Sequence, residues 1–269
     1  MDQLKLENLV IETDHNGHKE TFTVSSILSM DLHRASRNDD IHASVDCAVI
    51  AKLLKDKLQE KSFKLLEAAA EYLAHSILSF APYVKTVDLT LTKEVDPSKF
   101  GFHTLQAHLT RSWHTAYIGL GSNLGDRQAY MDQGVQALQD TPDCIVDRCS
   151  SWMEAIPYGY TQQDNFLNGV VQIRTLLTPY ELMDRIHEIE KATNLEWRIH
   201  WGPRTLDLDI LFYDDLVIQE EDLCIPHVDM KNRVFVLVPM AEIAPYYHHP
   251  VYGITIHEML QKLNDNKLQ

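Results

Sequence analysis

The chain has 269 residues, 45% of them hydrophobic, which is long for one compact core and comfortable for two. A formal net charge of −15 argues against a general nucleic-acid binder, whose footprint is a basic face. No apolar run approaches the roughly 18 residues that span a bilayer, and Met1-Asp2-Gln3-Leu4-Lys5 lacks signal-peptide character. The four cysteines (Cys47, Cys144, Cys149, Cys224) show no CxxC spacing, so the reading is a reduced, cytoplasmic protein with no membrane partner.

In chain order, Lys5 to Ile11 and Thr21 to Met30 are rich in β-branched or aliphatic residues and read as strands. Val49 to Leu58 and Phe63 to Leu78 carry apolar residues at helical spacing. Val84 to Leu91 alternates, and Thr104 to Thr110 is its hairpin partner. This grouping predicts α+β, with a domain boundary near Trp113 that separates 1–112 from 115–269. The second half reads as strand 116–120, helix 126–139, strands 145–152 and 167–174, helix 179–192 and strand 205–213. A short helix or loop after Pro226 and a final helix near 254–263 complete it. Charge is uneven: residues 1–113 hold 13 Lys and Arg against 16 Asp and Glu, whereas 114–269 hold 11 against 23. An acidic half that binds nucleotide needs metal ions and a few placed arginines.

Four segments carry the chemistry. In Trp201-Gly-Pro-Arg-Thr-Leu-Asp-Leu-Asp-Ile210 a strand from Thr205 puts Asp207 and Asp209 on one face, about 6–7 Å apart along the chain. Two such carboxylates suit hard cations, and Arg204 brings a bidentate phosphate ligand beside them. Alone, the pair also reads as two surface aspartates on an edge strand. Ala116-Tyr-Ile-Gly-Leu-Gly-Ser-Asn-Leu-Gly-Asp126 is a strand running into a glycine-rich turn, where Gly121 permits a tight backbone and Ser122 or Asn123 caps the next helix. Pro226-His227 to Arg233-Val-Phe235 gathers a histidine, a lysine, an arginine and an aromatic; a solvated loop is the alternative. Phe166 and Asn168 share one strand face, offering a stacking surface and an amide that both donates and accepts; taken alone, the segment reads first as a core aromatic and a turn residue.

In this order and spacing the segments resemble the 6-hydroxymethyl-7,8-dihydropterin pyrophosphokinase family from Tyr117 to about Leu263. The resemblance implies a ferredoxin-like α+β sheet with helices on one face, and transfer of diphosphate from ATP to the hydroxymethyl group of a dihydropterin. It makes Asp207 and Asp209 ligands of two Mg2+ ions that accompany ATP, and Arg204 a catalytic-site arginine. Trp201, His227, Arg233, Arg198 and Glu190 fall on the nucleotide side; Phe166 and Phe235 sandwich the pterin and Asn168 reads its edge. Asn194-Leu-Glu-Trp-Arg198 departs from the family's Gly-Arg-x-Arg, and Ala155-Ile156-Pro157 replaces a threonine-containing run.

Residues 1–112 resemble dihydroneopterin aldolase, through Phe22-Thr-Val, Leu65-Leu66-Glu67-Ala68, Leu91-Thr92-Lys93 and Leu109-Thr110-Arg111. The implied architecture is a tunnelling fold, an antiparallel sheet with two helices that assembles into homo-oligomeric rings. Glu67 would anchor the pterin and Lys93 would serve as the acid-base lysine. The alternatives are a solvated helix residue and an edge-strand charge. The glutamate-bearing loop is compressed into Asp14 to Phe22, and Cys47 stands at the family's catalytic tyrosine. An assembled domain with weak aldolase activity is therefore expected.

Overall fold

The computed structural model describes residues 1–15, 17–157, 162–193 and 203–267. They form two compact units, Met1–Trp113 and His114–Gln269.

In the first unit, strands β1 (Asp2–His15) and β2 (His18–Met30) lead through a short helix α1 (His33–Asn38) into helices α2 (Cys47–Glu60) and α3 (Leu66–Phe80). Strand β3 (Thr86–Glu94), one turn of helix α4 (Pro97–Phe100) and strand β4 (Thr104–Ser112) follow. The antiparallel sheet runs β1-β2-β3-β4. Its buried residues alternate, with Val87, Leu89 and Leu91 inward on β3, as a sheet covered on one face requires. The covering helices are patterned to match. Asp46 caps α2 by accepting from the Ala48 N–H, and Ile50, Leu54 and Leu58 recur every four residues on its buried side. Helix α3 starts at Leu66 instead of Phe63, because Leu65 is extended and Phe63 packs its ring 5.5 Å from that of Tyr72.

The second unit opens with β5 (His114–Ser122), α5 (Arg127–Gln139), β6 (Cys144–Cys149) and the short β7 (Met153–Ala155). Then come β8 (Phe166–Thr175), α6 (Pro179–Ala192) and β9 (Asp207–Tyr213). A small hairpin of β10 (Ile218–Gln219) and β11 (Cys224–Ile225) precedes helices α7 (Val234–Ile243) and α8 (Ile256–Lys267). The sheet order is β6-β8-β5-β9, with β7 also paired to β8, and every pairing is antiparallel.

The fold class is α+β, but the helices do not keep to one face. Helices α5 and α6 bury Met131, Leu138, Leu182 and Ile186 against Ile118, Leu120, Ile173 and Ile210. Helices α7 and α8 bury Leu237, Met240, Ile256 and Met259 against Tyr117, Val170, Leu211 and Phe212 on the other. The central strands β5 and β8 are thus apolar on both faces, and each face needs cover. A register shift between Tyr117 and Ile118 on β5, opposite Phe212 and Ile210, breaks the alternation of β9 and sends both Leu211 and Phe212 to the α7 side.

Candidate active site

The site lies on the α7 face of the second sheet, where two glycines leave a trough. Gly121 sits between Asn168 on β8 and Asp207 on β9, and Gly119 sits between Val170 and Asp209. Directly opposed residues point to the same face, so the middle strand contributes a floor without side chains between two functional walls. The cavity is lined by Asp207, Asp209 and Arg204 from the β9 side, by Phe166 and Asn168 from β8, and by His227, Arg233 and Phe235 from the segment entering α7. The structure therefore brings together eight of the residues singled out in the sequence.

Their electrostatics explain one another. Arg204 is hydrogen-bonded to Asp207, while Asp209 lies 3.9 Å from Arg233 Nη1 and 3.8 Å from His227 Nε2. Burial pushes the Asp207 carboxyl up to about 6, with the Asp209 charge adding and Arg204 opposing. Asp209 is raised by burial too, with Arg233 and Arg204 pulling it back. Both shifts record carboxylates withdrawn from water and only partly compensated by the arginines. Burial, reinforced by Arg233, pushes His227 down to about 4, so its ring is neutral near pH 7. Its Nδ1 accepts the Asp229 N–H, which assigns the ring proton to Nε2 on the side of Asp209. Arg233 is further held by Asp229 at 3.3 Å, with its guanidinium carbon 6.0 Å from the Phe235 ring centroid.

Two expectations change. Glu190 does not line this cavity: it is buried, and its Oε1 accepts the Leu208 N–H at 2.8 Å. Helix α6 packs on the opposite face of the sheet, so Glu190 braces β9 from behind. Neither Ser122 nor Asn123 caps α5; Asp126 does, accepting from the Ala129 N–H. Asn123 instead bonds the backbone of Arg204 in both directions. Arg198 and Trp201 lie outside the described residues. Sequence reasoning quoted Gly119 in the glycine-rich run without giving it a role, and it did not place Leu120, Gly169, Leu211, Val236 or the loop residues Ile156 and Gln163 in the lining. The two-residue spacing of Gly119 and Gly121 on a strand was a usable signal; the two loop residues offered none.

In the first unit Lys93 and Glu67 are not brought together. Glu67 opens α3 and lines a shallow depression with Glu71, Gln106, His108 and Arg111, to which Lys93 does not belong. Lys93, opposite Phe22 on β2, pairs with Glu20 at 2.5 Å. The compressed segment therefore still delivers a glutamate to the lysine, because Glu20 and Phe22 share a face. Cys47 begins α2 and is half-buried.

The protein-family model for 7,8-dihydro-6-hydroxymethylpterin-pyrophosphokinase matches residues 117–245, and that for dihydroneopterin aldolase matches residues 11–107. The bifunctional protein FolKE of Lactococcus lactis subsp. cremoris is 42% identical over 156 residues, 57% of this chain and 43% of the relative. This chain thus spans less than half of that relative's length. The 2-amino-4-hydroxy-6-hydroxymethyldihydropteridine pyrophosphokinase of Bacillus subtilis is 45% identical over 128 residues, 48% of this chain and 77% of the relative. Among solved structures, Escherichia coli dihydroneopterin aldolase in complex with neopterin is 19% identical, covering 42% of this chain and 100% of that one, with a TM-score of 0.37. Identity at this level over more than two thirds of the Bacillus enzyme, on the segment that builds the cavity, places the chain in the 7,8-dihydro-6-hydroxymethylpterin-pyrophosphokinase family.

Proposed function

We propose that the second unit transfers the terminal diphosphate of ATP to the hydroxymethyl oxygen of 6-hydroxymethyl-7,8-dihydropterin and releases AMP. The observation that carries this reading is the glycine-floored trough with acidic and cationic groups on one wall and Phe166 and Asn168 on the other. The Asn168 amide can both donate to and accept from a pterin edge, and Phe166 with Phe235 offers stacking surfaces. Arg204 and Arg233 present guanidinium forks to phosphate oxygens, and the neutral His227 presents its Nε2–H.

The donor set fits Mg2+. Two carboxylates supply hard oxygens, and among the described residues no cluster of three or more His, Cys, Asp or Glu is built to hold a metal. Such a site would leave positions for phosphate and water oxygens, as Mg2+ prefers, and bound cations would offset the charge of the two carboxylates. Asp207 and Asp209 would hold two ions with ATP; the chemistry supplied by bound Mg2+ is charge neutralisation of the phosphate oxygens. The protein contributes alignment and electrostatic stabilisation.

AMP release from ATP by the purified full chain, with and without hydroxymethyl-dihydropterin, tests this. Asp207→Ala and Asp209→Ala should each lower turnover by at least about 10²–10³-fold with unchanged circular dichroism. AMP release that ignores the pterin, or near-normal turnover of either variant at saturating Mg2+, refutes the assignment.

A second reading, favoured by the Glu20–Lys93 pair, is aldol cleavage of dihydroneopterin by the first unit, with Lys93 as acid-base residue and Glu67 as pterin anchor. Because Glu67 lines a depression to which Lys93 does not belong, this site would be completed in a homo-oligomer. The sheet ends in β1 and β4, whose outer backbone groups are available to pair with another copy.

A further inference from the structure

We infer that Trp152 is a positioning residue for the wall assigned to the pterin, holding Asn168 and Phe166 in place from behind strand β8. The inference rests on the reading of the cavity given above. Trp152 does not itself line the cavity; its indole packs with the hydrophobic cluster on the α5 and α6 face of the sheet.

The ring occupies a notch left by a glycine. A Cβ at Gly169 would lie 2.3 Å from both Cε3 and Cζ3 of Trp152, and 3.2 Å from Ser150 Oγ. Indole is rigid, so it cannot yield to such a methyl without leaving its place. Gly169 follows Asn168 on β8, and Gly169 also lines the cavity. One thickness of main chain therefore separates the indole from the ligand space.

Strand β8 needs support at this point. On one side it pairs with β5 from Leu167 to Thr175. On the other side the pairing of Cys149 with Val171 on β6 is followed by that of Met153 with Asn168 on β7. Between them Ser150, Ser151 and Trp152 face only Gly169 and Val170, which is a bulge, and bulges beside sites re-aim the side chains next to them. Ser150 closes part of the gap: its N–H donates to the Val170 carbonyl and its Oγ accepts the Val170 N–H, both at 2.9 Å. Trp152 covers the rest and is anchored from α5. Its Nε1–H donates to Asp132 Oδ1 at 3.3 Å, and Gln128 donates to both oxygens of that carboxylate. The Asn168 amide donates to the Phe166 carbonyl at 3.4 Å, a weak restraint. Its position thus follows the strand it stands on, and the indole backs that strand.

Titration calorimetry and steady-state kinetics of the full chain test this. Trp152→Ala should weaken hydroxymethyl-dihydropterin binding, measured with Mg2+ and a non-hydrolysable ATP analogue, by about 10-fold. The pterin KM should rise in step, while the ATP KM shifts by less than about 2-fold. Gly169→Ala displaces the ring and should act alike. Trp152→Phe together with Gly169→Ala exchanges the large ring for a smaller one plus a methyl. This double variant should recover pterin affinity to within about 3-fold of the wild type, since contacting residues are not additive. Trp152→Phe alone should show an intermediate loss and carries the test if Trp152→Ala does not fold. Unchanged pterin affinity in any folded single variant overturns the inference, as do losses that add in the double variant. So does activity lost only with the folded fraction while both KM values stay constant. Wild-type protein that binds the pterin and releases no AMP strikes the diphosphate-transfer reading, and the affinities still decide the inference. AMP release with pterin affinity indifferent to Trp152 strikes the inference alone.

Discussion

Gly121 sets the width of the cavity by what it lacks. A Cβ at this position would lie 3.3 Å from Asn168 Oδ1, 3.7 Å from Phe166 Cδ1 and 3.9 Å from Asp207 Cβ. The backbone accepts an L-residue here, so a substitution acts through the neighbours. Asn168 must give way by a few tenths of an ångström, and the groups assigned to the pterin edge and face move first. Gly121→Ala should raise the pterin KM by about 10-fold and change the ATP KM much less, since small misplacements of positioning groups have large kinetic effects. Equal changes in both KM values would show that the glycine serves the backbone instead of the pterin wall. The walls themselves were legible in the sequence, because strand alternation places Asp207 with Asp209 and Phe166 with Asn168. The floor was half legible: Gly121 was read as a tight backbone position, yet the strand pairing that sets it between Asn168 and Asp207 is not written in local sequence. Asn123 was legible as polar and turn-forming but not in its partner, which lies 81 residues away.

Strand β9 carries both aspartates at the edge of its sheet, and its outer side is held by helix α6. Thr178 and Glu181 form a capping box at the start of that helix, with Pro179 in its first turn, and its last full turn delivers Glu190 to the Leu208 N–H. Burial, with the charges of Asp207 and Asp209 adding, pushes Glu190 up to about 7 against the opposing Leu208 N–H and Arg204. The unfolded chain releases this proton near the ordinary value of 4.5, while the folded protein keeps it to about 7. Between those values the native state binds more protons, so this carboxyl lowers stability as pH rises through the window and has no further effect above it. Glu190→Gln retains an acceptor for Leu208 and cannot ionise. It should match the wild type near pH 4.5 and exceed it at pH 8 by on the order of 3 kcal/mol, seen as a widening gap in melting temperature. A gap independent of pH would refute a buried, proton-linked carboxyl at this position. The sequence placed α6 to the residue, since its caps and amphipathic spacing agree. It left α7 as a short helix or loop, because Val-Phe-Val-Leu-Val-Pro-Met-Ala is apolar all round and contains Pro239. That segment is helical through burial between the sheet and α8, a tertiary effect that overrides weak local propensity.

At the scale of the whole molecule, the two units carry different kinds of site. The second unit builds its cavity within one copy. The first unit presents its chemistry in two places, Lys93 with Glu20 on the β2–β3 pair and Glu67 at the start of α3. Sequence reasoning saw the glutamate-bearing loop shortened; strand register still supplies a glutamate, since β2 runs from His18 and carries Glu20 beside Lys93. The lysine amine also lies 5.7 Å from the Phe22 ring centroid, so its position is fixed from two sides. Cys47 still offers no phenol, so any proton delivered there must come by another route, and turnover should be slow but real. The full chain should release glycolaldehyde from dihydroneopterin above background and elute as an oligomer by light scattering. Lys93→Ala should reduce that release by at least about 10²-fold, the usual contribution of a positioned acid-base group, and leave AMP release by the second unit intact because Lys93 does not line its cavity. Glu20→Gln should fall between the two, since it loosens the lysine without removing it. Glycolaldehyde release unaffected by Lys93→Ala would remove the lysine from the chemistry. A monomer with full aldolase activity would show that Glu67 and Lys93 need no second copy to meet.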